Sequence, residues 1–236
     1  GAVSFTNINA ITYASSKFVL VTLLGEVYTS NNGITWTAQV SGTSNALNAI
    51  TYGNGKFVST GKSGTVIYSS DAISWTAITV GYYDFLGVRY VINTSGNYFV
   101  GVCASNKAYY SSDGINWSRS LIDAFTSVTN DGTNSYSITS WGDVYKNSGT
   151  SLVYSASVVS NIENFTYIYN NSAGLFHALT GSGGIYTSSN GVTWTSRTSG
   201  VSTALNSVYY DGTTWVIVGD SGVILTSTDG INYTSR

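Results

Sequence analysis

Five times along this chain of 236 residues the same short phrase returns, as SNNGITW (Ser30 to Trp36), SSDAISW (Ser69 to Trp75), SSDGINW (Ser111 to Trp117), SSNGVTW (Ser188 to Trp194) and STDGINY (Ser227 to Tyr233). The closing aromatics lie 39, 42, 77 and 39 residues apart, and the long interval has room for one further unit. Aligning Tyr145 with Tyr110 places KNSGTSL (Lys146 to Leu152) in that interval, with Gly149 at the glycine position and Leu152 where Trp117 stands. Six units, approximately 6–44, 45–83, 84–123, 124–160, 161–203 and 204–236, then account for the chain as one domain, 1–236. A period of this length belongs to solenoids, arrays or propellers.

The grammar of the unit selects among these. Repeat 2 reads LNAITYG (Leu47 to Gly53), KFVSTG (Lys56 to Gly61), TVIYSS (Thr65 to Ser70) and SWTAIT (Ser74 to Thr79), four short runs rich in β-branched and aromatic residues. Asn54-Gly55, Lys62-Ser63-Gly64 and Asp71-Ala72 between them are the polar and glycine linkers that close hairpins. No window sustains the i, i+3, i+4 spacing of a helix, so the chain reads as all-β. A four-stranded meander of this size has two apolar faces and cannot bury both alone, whereas six packed radially cover one another. The sequence therefore predicts a six-bladed β-propeller of four-stranded antiparallel blades.

Within the phrase, Asn32, Asp71, Asp113, Asn190 and Asp229 read as turn residues, because an Asx side chain accepts loop amides while glycine supplies positive φ. A calcium site would need more clustered carboxylates than one per turn. Trp36, Trp75, Trp117, Trp194 and Tyr233 are expected to wedge between neighbouring strands or blades, each indole hiding ~150 to 250 Å². Truncating Trp75 or Trp194 to Ala is expected to cost roughly 3 to 5 kcal/mol.

The phrase resembles the Asp-box, or BNR-like, repeat of sialidase-type propellers, and the longer pattern AITYGNGKF…GTVIYSSDAISW is similar to repeat domains of phage tail-fibre and bacterial surface proteins. The resemblance runs through all six units and is one of repeat architecture. The Asp-box usually has an extra residue between Asp and Gly, whereas Asp113 and Gly114 are adjacent, so the turn here is one residue shorter. Gly1 to Phe5 align with Val40 to Ser44, an inter-blade loop, which leaves ring closure to side-chain packing between the first and last blades. A start at Gly1 and an end at Arg236, just after a fourth strand, suit a segment of a longer polypeptide.

Charge narrows the partners. Charged residues make up 8% of the chain and the net charge is −2, with nine Lys plus Arg, so no basic stripe exists to neutralise phosphates. Nucleic acid and anionic membranes are therefore poor partners, and no run of about 18 apolar residues predicts membrane insertion. Cys103 stands alone and reads as a buried inert thiol. The five sequons at Asn93, Asn116, Asn164, Asn170 and Asn232 are what a chain rich in Asn, Ser and Thr produces by chance.

Catalysis is weighed against the resemblance, since a sialidase site implies three arginines around a carboxylate, a Tyr nucleophile and acidic partners. The chain has four arginines, of which Arg119, Arg197 and Arg236 occupy equivalent positions in outer strands (WSRS, WTSR, YTSR), leaving Arg89 near an inner strand. Hydrolysis of a glycoside by two facing carboxyls would draw on Glu26, Asp84, Asp123, Asp143, Glu163 and Asp220, once the turn acids are removed. Glu26, Asp143 and Asp220 share a level, in the turn between second and third strands. Gly219-Asp220-Ser221-Gly222 spells a serine-protease string, but Gly61-Lys62-Ser63-Gly64 and Gly181-Ser182-Gly183-Gly184 are its counterparts, so it is a repeat turn. With His177 the one histidine, no Ser-His-Asp, Cys-His or zinc set can be assembled.

Binding candidates are the places where one blade departs from the repeat: Tyr82-Tyr83-Asp84 in the longer link to blade 3, and Trp141-Gly142-Asp143 in blade 4, with Asp220 on the same level as Asp143. Blade 4, having lost its aromatic phrase, is expected to face another subunit. The expectation is a non-enzymatic attachment domain without cofactor, from a phage virion (tail fibre or decoration) or a surface appendage. It would be displayed outside the cell, with cell-surface saccharide or a receptor and other virion or appendage subunits as partners. A structural assembly module and a sialidase-like glycoside hydrolase are the alternatives.

Overall fold

Turn chemistry sets the strands. Asn54 and Gly55 both have positive φ (46° and 72°), as do Ser15 and Ser16 (49° and 59°), which is the two-residue hairpin geometry whose twist matches that of its flanking strands. The computed structural model describes residues 7–92, 96–120, 125–131, 134–148, 151–158, 165–170 and 174–236. The alignment of Gly1 to Phe5 with an inter-blade loop falls outside them, as do Gly149 of the blade 4 phrase, Asp123, Glu163 and the sequons at Asn93 and Asn164.

Each repeat forms one antiparallel meander of four strands, giving six four-stranded sheets, with 56% of residues in strands and 4% in helix. Blade 1 comprises Ile8–Ala14, Lys17–Thr22, Val27–Ser30 and Thr37–Gln39; blade 2 comprises Leu47–Gly53, Lys56–Gly61, Thr65–Ser69 and Thr76–Thr79. Blade 3 comprises Phe85–Val91, Tyr98–Cys103, Lys107–Ser111 and Ser118–Arg119. Blade 4 comprises Phe125–Asn130, Ser135–Thr139, Asp143–Ser148 and Ser151–Ser157. Blade 5 comprises Phe165–Asn170, Phe176–Thr180, Ile185–Ser188 and Thr195–Arg197; blade 6 comprises Leu205–Tyr210, Trp215–Gly219, Ile224–Ser227 and Thr234–Ser235. The chain forms two compact units, Gly1–Val91 with Asn97–Asp123, and Ile92–Gly96 with Ala124–Arg236.

In the first unit the apolar side chains form two clusters, each shared by adjacent blades. Val19, Val21 and Val27 of blade 1 meet Leu47, Ile50, Phe57 and Ile67 of blade 2; Val58 and Val66 of blade 2 meet Phe85, Val88 and Phe99 of blade 3. Alternate residues of one strand, Phe57 and Val58, thus point to opposite blades, and that is why second strands read as continuous apolar runs. The second unit repeats the plan, with Tyr136, Ile138 and Val144 against Phe165, Ile168 and Phe176, and Leu179 and Ile185 against Leu205, Val208 and Ile217.

The recurring phrase is a hydrogen-bonded loop between third and fourth strands. In blade 3 the buried Ser111 Oγ accepts from the amides of Gly114 (2.8 Å) and Asp113 (3.3 Å) and donates to Asp113 Oδ1 (2.9 Å). Asp113 Oδ1 accepts from the amides of Ile115 and Asn116, both at 2.8 Å. The same pattern holds for Ser30 with Asn32, Ser69 with Asp71, Ser188 with Asn190 and Ser227 with Asp229. Gly114 takes φ +76° with its Cα against Val58 and Phe99, so a Cβ would strike both strain and neighbours. The indoles of Trp36, Trp75 and Trp117 each close the loop on the carbonyl of the phrase's fourth residue, Gly33, Ala72 or Gly114, at 3.1 to 3.2 Å. These aromatics precede the fourth strand and are only half-buried, which lowers the expected loss for Trp75→Ala to about 2 to 3 kcal/mol.

Turns between second and third strands are of two kinds, not one. Blades 2, 3 and 6 use a short 3-10 turn with Ser63, Ser105 or Ser221 at positive φ. Blades 1, 4 and 5 use a threonine, Thr22, Thr139 or Thr180, whose Oγ1 accepts a loop amide, with Gly25, Gly142 or Gly183 at positive φ. Gly219–Gly222 therefore matches Gly61–Gly64, as expected, but Gly181–Gly184 is a different turn.

Blade 4 departs further from the sequence expectation. Lys146 to Leu152 is not a worn copy of the phrase loop. Third and fourth strands run on to Ser148 and from Ser151, in register Lys146 with Val153 and Asn147 with Leu152, so Leu152 sits inside a ladder instead of at the position of Trp117. Counted back from the turn threonine, Ser135 and its partner Asn147 stand where Phe18 and Ser30 stand in blade 1, one place on from the alignment of Tyr145 with Tyr110, so no serine occupies the capping position and the ladder continues. The fourth strand reaches seven residues, against two to four in the other blades.

His177 occupies the second-strand position that Val58 holds in blade 2 and is fully buried. Its Nε2 lies 2.6 Å from the Tyr233 hydroxyl and 3.3 Å from the Gly230 carbonyl, and its ring lies 4.1 Å from that of Trp215. Burial depresses its pKa to about 4, against opposing bonds to the Gly230 and Leu175 backbone and with help from Arg197. Unfolded His titrates near 6.5. Above that pH both states are neutral; as pH falls toward 4 only the unfolded chain gains the proton, so stability is lost across that window, by about 3 kcal/mol at most.

Two outcomes are expected in denaturant titrations. Ser111→Ala should cost about 1 to 3 kcal/mol by stranding the buried Gly114 amide, whereas a change under a few tenths would mean that the loop relaxes freely. The unfolding free energy of the wild type should fall between pH 6.5 and 4 with a slope that His177→Val, the repeat's own residue, reduces; an unchanged slope would assign the pH dependence elsewhere.

Candidate functional site

The sequence candidates fall in two places, and the link to blade 3 is not the longer one expected: five residues separate Thr79 from Phe85, against seven between Gln39 and Leu47, the extra length of repeat 3 falling between Val91 and Tyr98. In the first unit, the link between blades 2 and 3 is stitched at several points: the Gly64 amide donates to the Tyr83 carbonyl (2.9 Å), the Val80 amide to the Gly64 carbonyl (2.7 Å) and the Ala104 amide to the Asp84 carbonyl (2.7 Å). Asp84 Oδ1 accepts the Ser63 amide at 2.7 Å. On this fixed backbone the rings of Tyr82 and Tyr83 lie 4.3 Å apart with their hydroxyls 3.0 Å apart, and Tyr82 is 76% exposed. The Arg119 guanidinium lies over the Tyr83 ring at 5.9 Å, near the limit for a cation–π contact. The hydrogen bond to Tyr82 is the main cause that raises the Tyr83 pKa.

Strand register sets Arg119 apart from the other two fourth-strand arginines. The fourth strand places Arg197 opposite Ile185 but Arg119 opposite Tyr109. Arg119 stands two residues after its tryptophan and Arg197 three after its own, so the two point to opposite faces of their strands. Arg197 Nε bonds Thr187 Oγ1 at 2.8 Å and Arg236 Nε bonds Thr226 Oγ1 at 2.9 Å, whereas Arg119 turns toward Tyr83. The expected equivalence of the three arginines is thus corrected to two plus one, and the difference between WSRS and WTSR already carried it.

In the second unit, Trp141 is 54% exposed at the tip of the turn held by Thr139, while the adjoining Gly142 lies against Phe165. Asp143 Oδ1 accepts from Ser157 Oγ at 2.5 Å, and Asp220 Oδ1 from Asn206 Nδ2 at 2.7 Å. Glu26, at the same level in the first unit, accepts from Thr22 Oγ1 at 3.1 Å. Each of these acids is tied to its own blade.

The phrase acids are occupied too. The loop amides of Ser74 and Ile73 hold the Asp71 carboxyl down to about 2, and those of Asn232 and Ile231 hold Asp229 well below the usual carboxylate range. Among the described residues no group of three or more His, Cys, Asp and Glu comes together. Burial pushes the Cys103 thiol up to about 12, with Asp84 adding to the effect. Open depressions lie beside two phrase loops. One, of ≈ 340 Å³, is lined by Lys17, Asn32 and Gln39; the other, of ≈ 490 Å³, by Asp229, Asn232 and Arg236. Neither includes the tyrosine pair or Trp141.

No family model and no curated protein matches this chain. Solved structures do. YCF48 bound to D1 peptide is 15% identical with a TM-score of 0.73, the match covering 100% of this chain and 84% of that one. YCF48 from Cyanidioschyzon merolae is 15% identical, TM-score 0.73, over 98% and 84%. The Myceliophteria thermophila Cps50 (Swd1) beta-propeller domain is 10% identical, TM-score 0.73, over 99% and 87%. None of these is a phage protein, and the ligand named among them is a peptide, which overturns the expectation of a phage or appendage domain attaching to cell-surface saccharide. What the likeness establishes is the fold: this chain is a six-bladed β-propeller.

Proposed function

We propose that this propeller is a non-enzymatic protein-interaction module that takes an extended peptide segment on the Tyr82–Tyr83–Arg119 corner of blades 2 and 3. The observation that carries the reading is a tyrosine left 76% exposed on a backbone pinned by bonds to Gly64, Ser63 and Ala104. Such a ring presents a large apolar face at little entropic cost, because neither its loop nor its neighbour has to be ordered on binding. An apolar or proline side chain lies well on it, in the manner of aromatic-lined peptide grooves. The solved YCF48 structure with a D1 peptide is a propeller of similar shape that binds a polypeptide, which supports the class of partner. The local bonding of Asp84, Asp143 and Asp220 supports a binding role over a catalytic one.

Panning a random peptide display library on the domain should enrich sequences whose affinity falls at least tenfold in Tyr82→Ser, with the thermal unfolding midpoint unchanged. Absence of enrichment, or peptides bound equally by Tyr82→Ser, would count against the corner as the site.

A further inference from the structure

We infer that the outer edge of blade 4 is a self-association surface, pairing antiparallel with the same edge of a second copy of this chain. Among the described residues Ser151–Ser157 ends its sheet, with the third strand on one side and no strand on the other. A free edge presents unpaired amides and carbonyls, and proteins blunt such edges with short strands or charge. The other blades do so: their fourth strands have two to four residues, and those of blades 3, 5 and 6 carry or adjoin Arg119, Arg197 and Arg236. Blade 4 uses neither device. Its fourth strand is seven residues long, and from Asn147 to Val158 the chain has no charged residue and no proline.

The occupant follows from the strand itself. A bulge separates Tyr154 from Ala156 in the ladder with the third strand, leaving Ser151–Tyr154 as the regular stretch. Read against itself in antiparallel, SLVY sets Ser151 opposite Tyr154 and Leu152 opposite Val153 of the second copy. This register sets apolar positions at the centre and a small polar position against an aromatic one at each end, and opposes no like charges, so the two-fold pairing is self-complementary in sequence. Tyr154 is 56% exposed, beside Tyr145 at 5.8 Å, and supplies the aromatic flank. Four residue pairs make a small interface, so the association is weak and concentration-dependent.

Sedimentation or light scattering across a concentration series tests this. The wild type should pass from monomer to dimer, and Tyr154→Lys should weaken the dimer at least tenfold by setting a hydrated charge at each end of the four-residue contact, opposite Ser151 of the second copy, the way edge lysines blunt strand pairing. Ala38→Lys, an equivalent charge on the exposed fourth strand of blade 1, should leave association unchanged, as should Tyr82→Ser, which separates this surface from the proposed peptide site. Circular dichroism melts of each variant should match the wild type. A wild type monomeric at all concentrations overturns the inference, whether or not the edge accepts an extended peptide instead, and so does a dimer that Tyr154→Lys leaves intact.

Discussion

Each sheet of this molecule is apolar on both faces, and no blade can bury both alone. That constraint explains why the phrase recurs: a blade is stable only when its neighbour presents the same contour. Phe57 turns to blade 1 while Val58 turns to blade 3, so substitution in a second strand acts on two interfaces at once. The phrase loop fixes where the fourth strand begins, because a buried serine and an Asx carboxyl or amide satisfy four loop amides that the backbone cannot pair. Polar bonding at the loop thus keeps the apolar contour in register from blade to blade.

Variation is tolerated where both needs are still met. Blade 6 exchanges Trp for Tyr233, whose hydroxyl reaches the Gly230 carbonyl as the indoles reach theirs, and whose second neighbour is a histidine instead of the repeat's valine. The exchange keeps the loop closed while burying a group that water would charge in acid. Blade 4 solves the same problem differently. With no serine to cap the loop it lengthens both strands, satisfying the backbone by a ladder and leaving an edge that other blades keep short.

The proposed peptide site sits where the repeat is broken. The Tyr82–Tyr83 corner lies in a five-residue link held by main-chain bonds between blades 2 and 3, with Tyr83 packed against the core and Tyr82 left exposed. By contrast Glu26, Asp143 and Asp220, which look available in the sequence, are each bonded within their own blade, and Asp84 is held by an amide of blade 2. The solved propellers that share this shape at 10 to 15% identity show how little of the sequence the fold demands.

The sequence by itself determined the number of blades, the four-strand meander and the role of the phrase residues, because all three depend on contacts within some forty residues and on side chains whose chemistry is explicit. It also held the one-residue difference that separates Arg119 from Arg197, though strand register is needed to see that a step of one reverses the face. Only the tertiary structure decided the rest. Whether Lys146 to Leu152 is a loop or a ladder depends on pairing, which spacing does not reveal. Which turns share a geometry depends on a threonine acceptor against a left-handed serine. The exposure of Tyr82 and the engagement of Asp84 depend on a neighbouring blade's amide, and a residue's availability is a property of what folds against it.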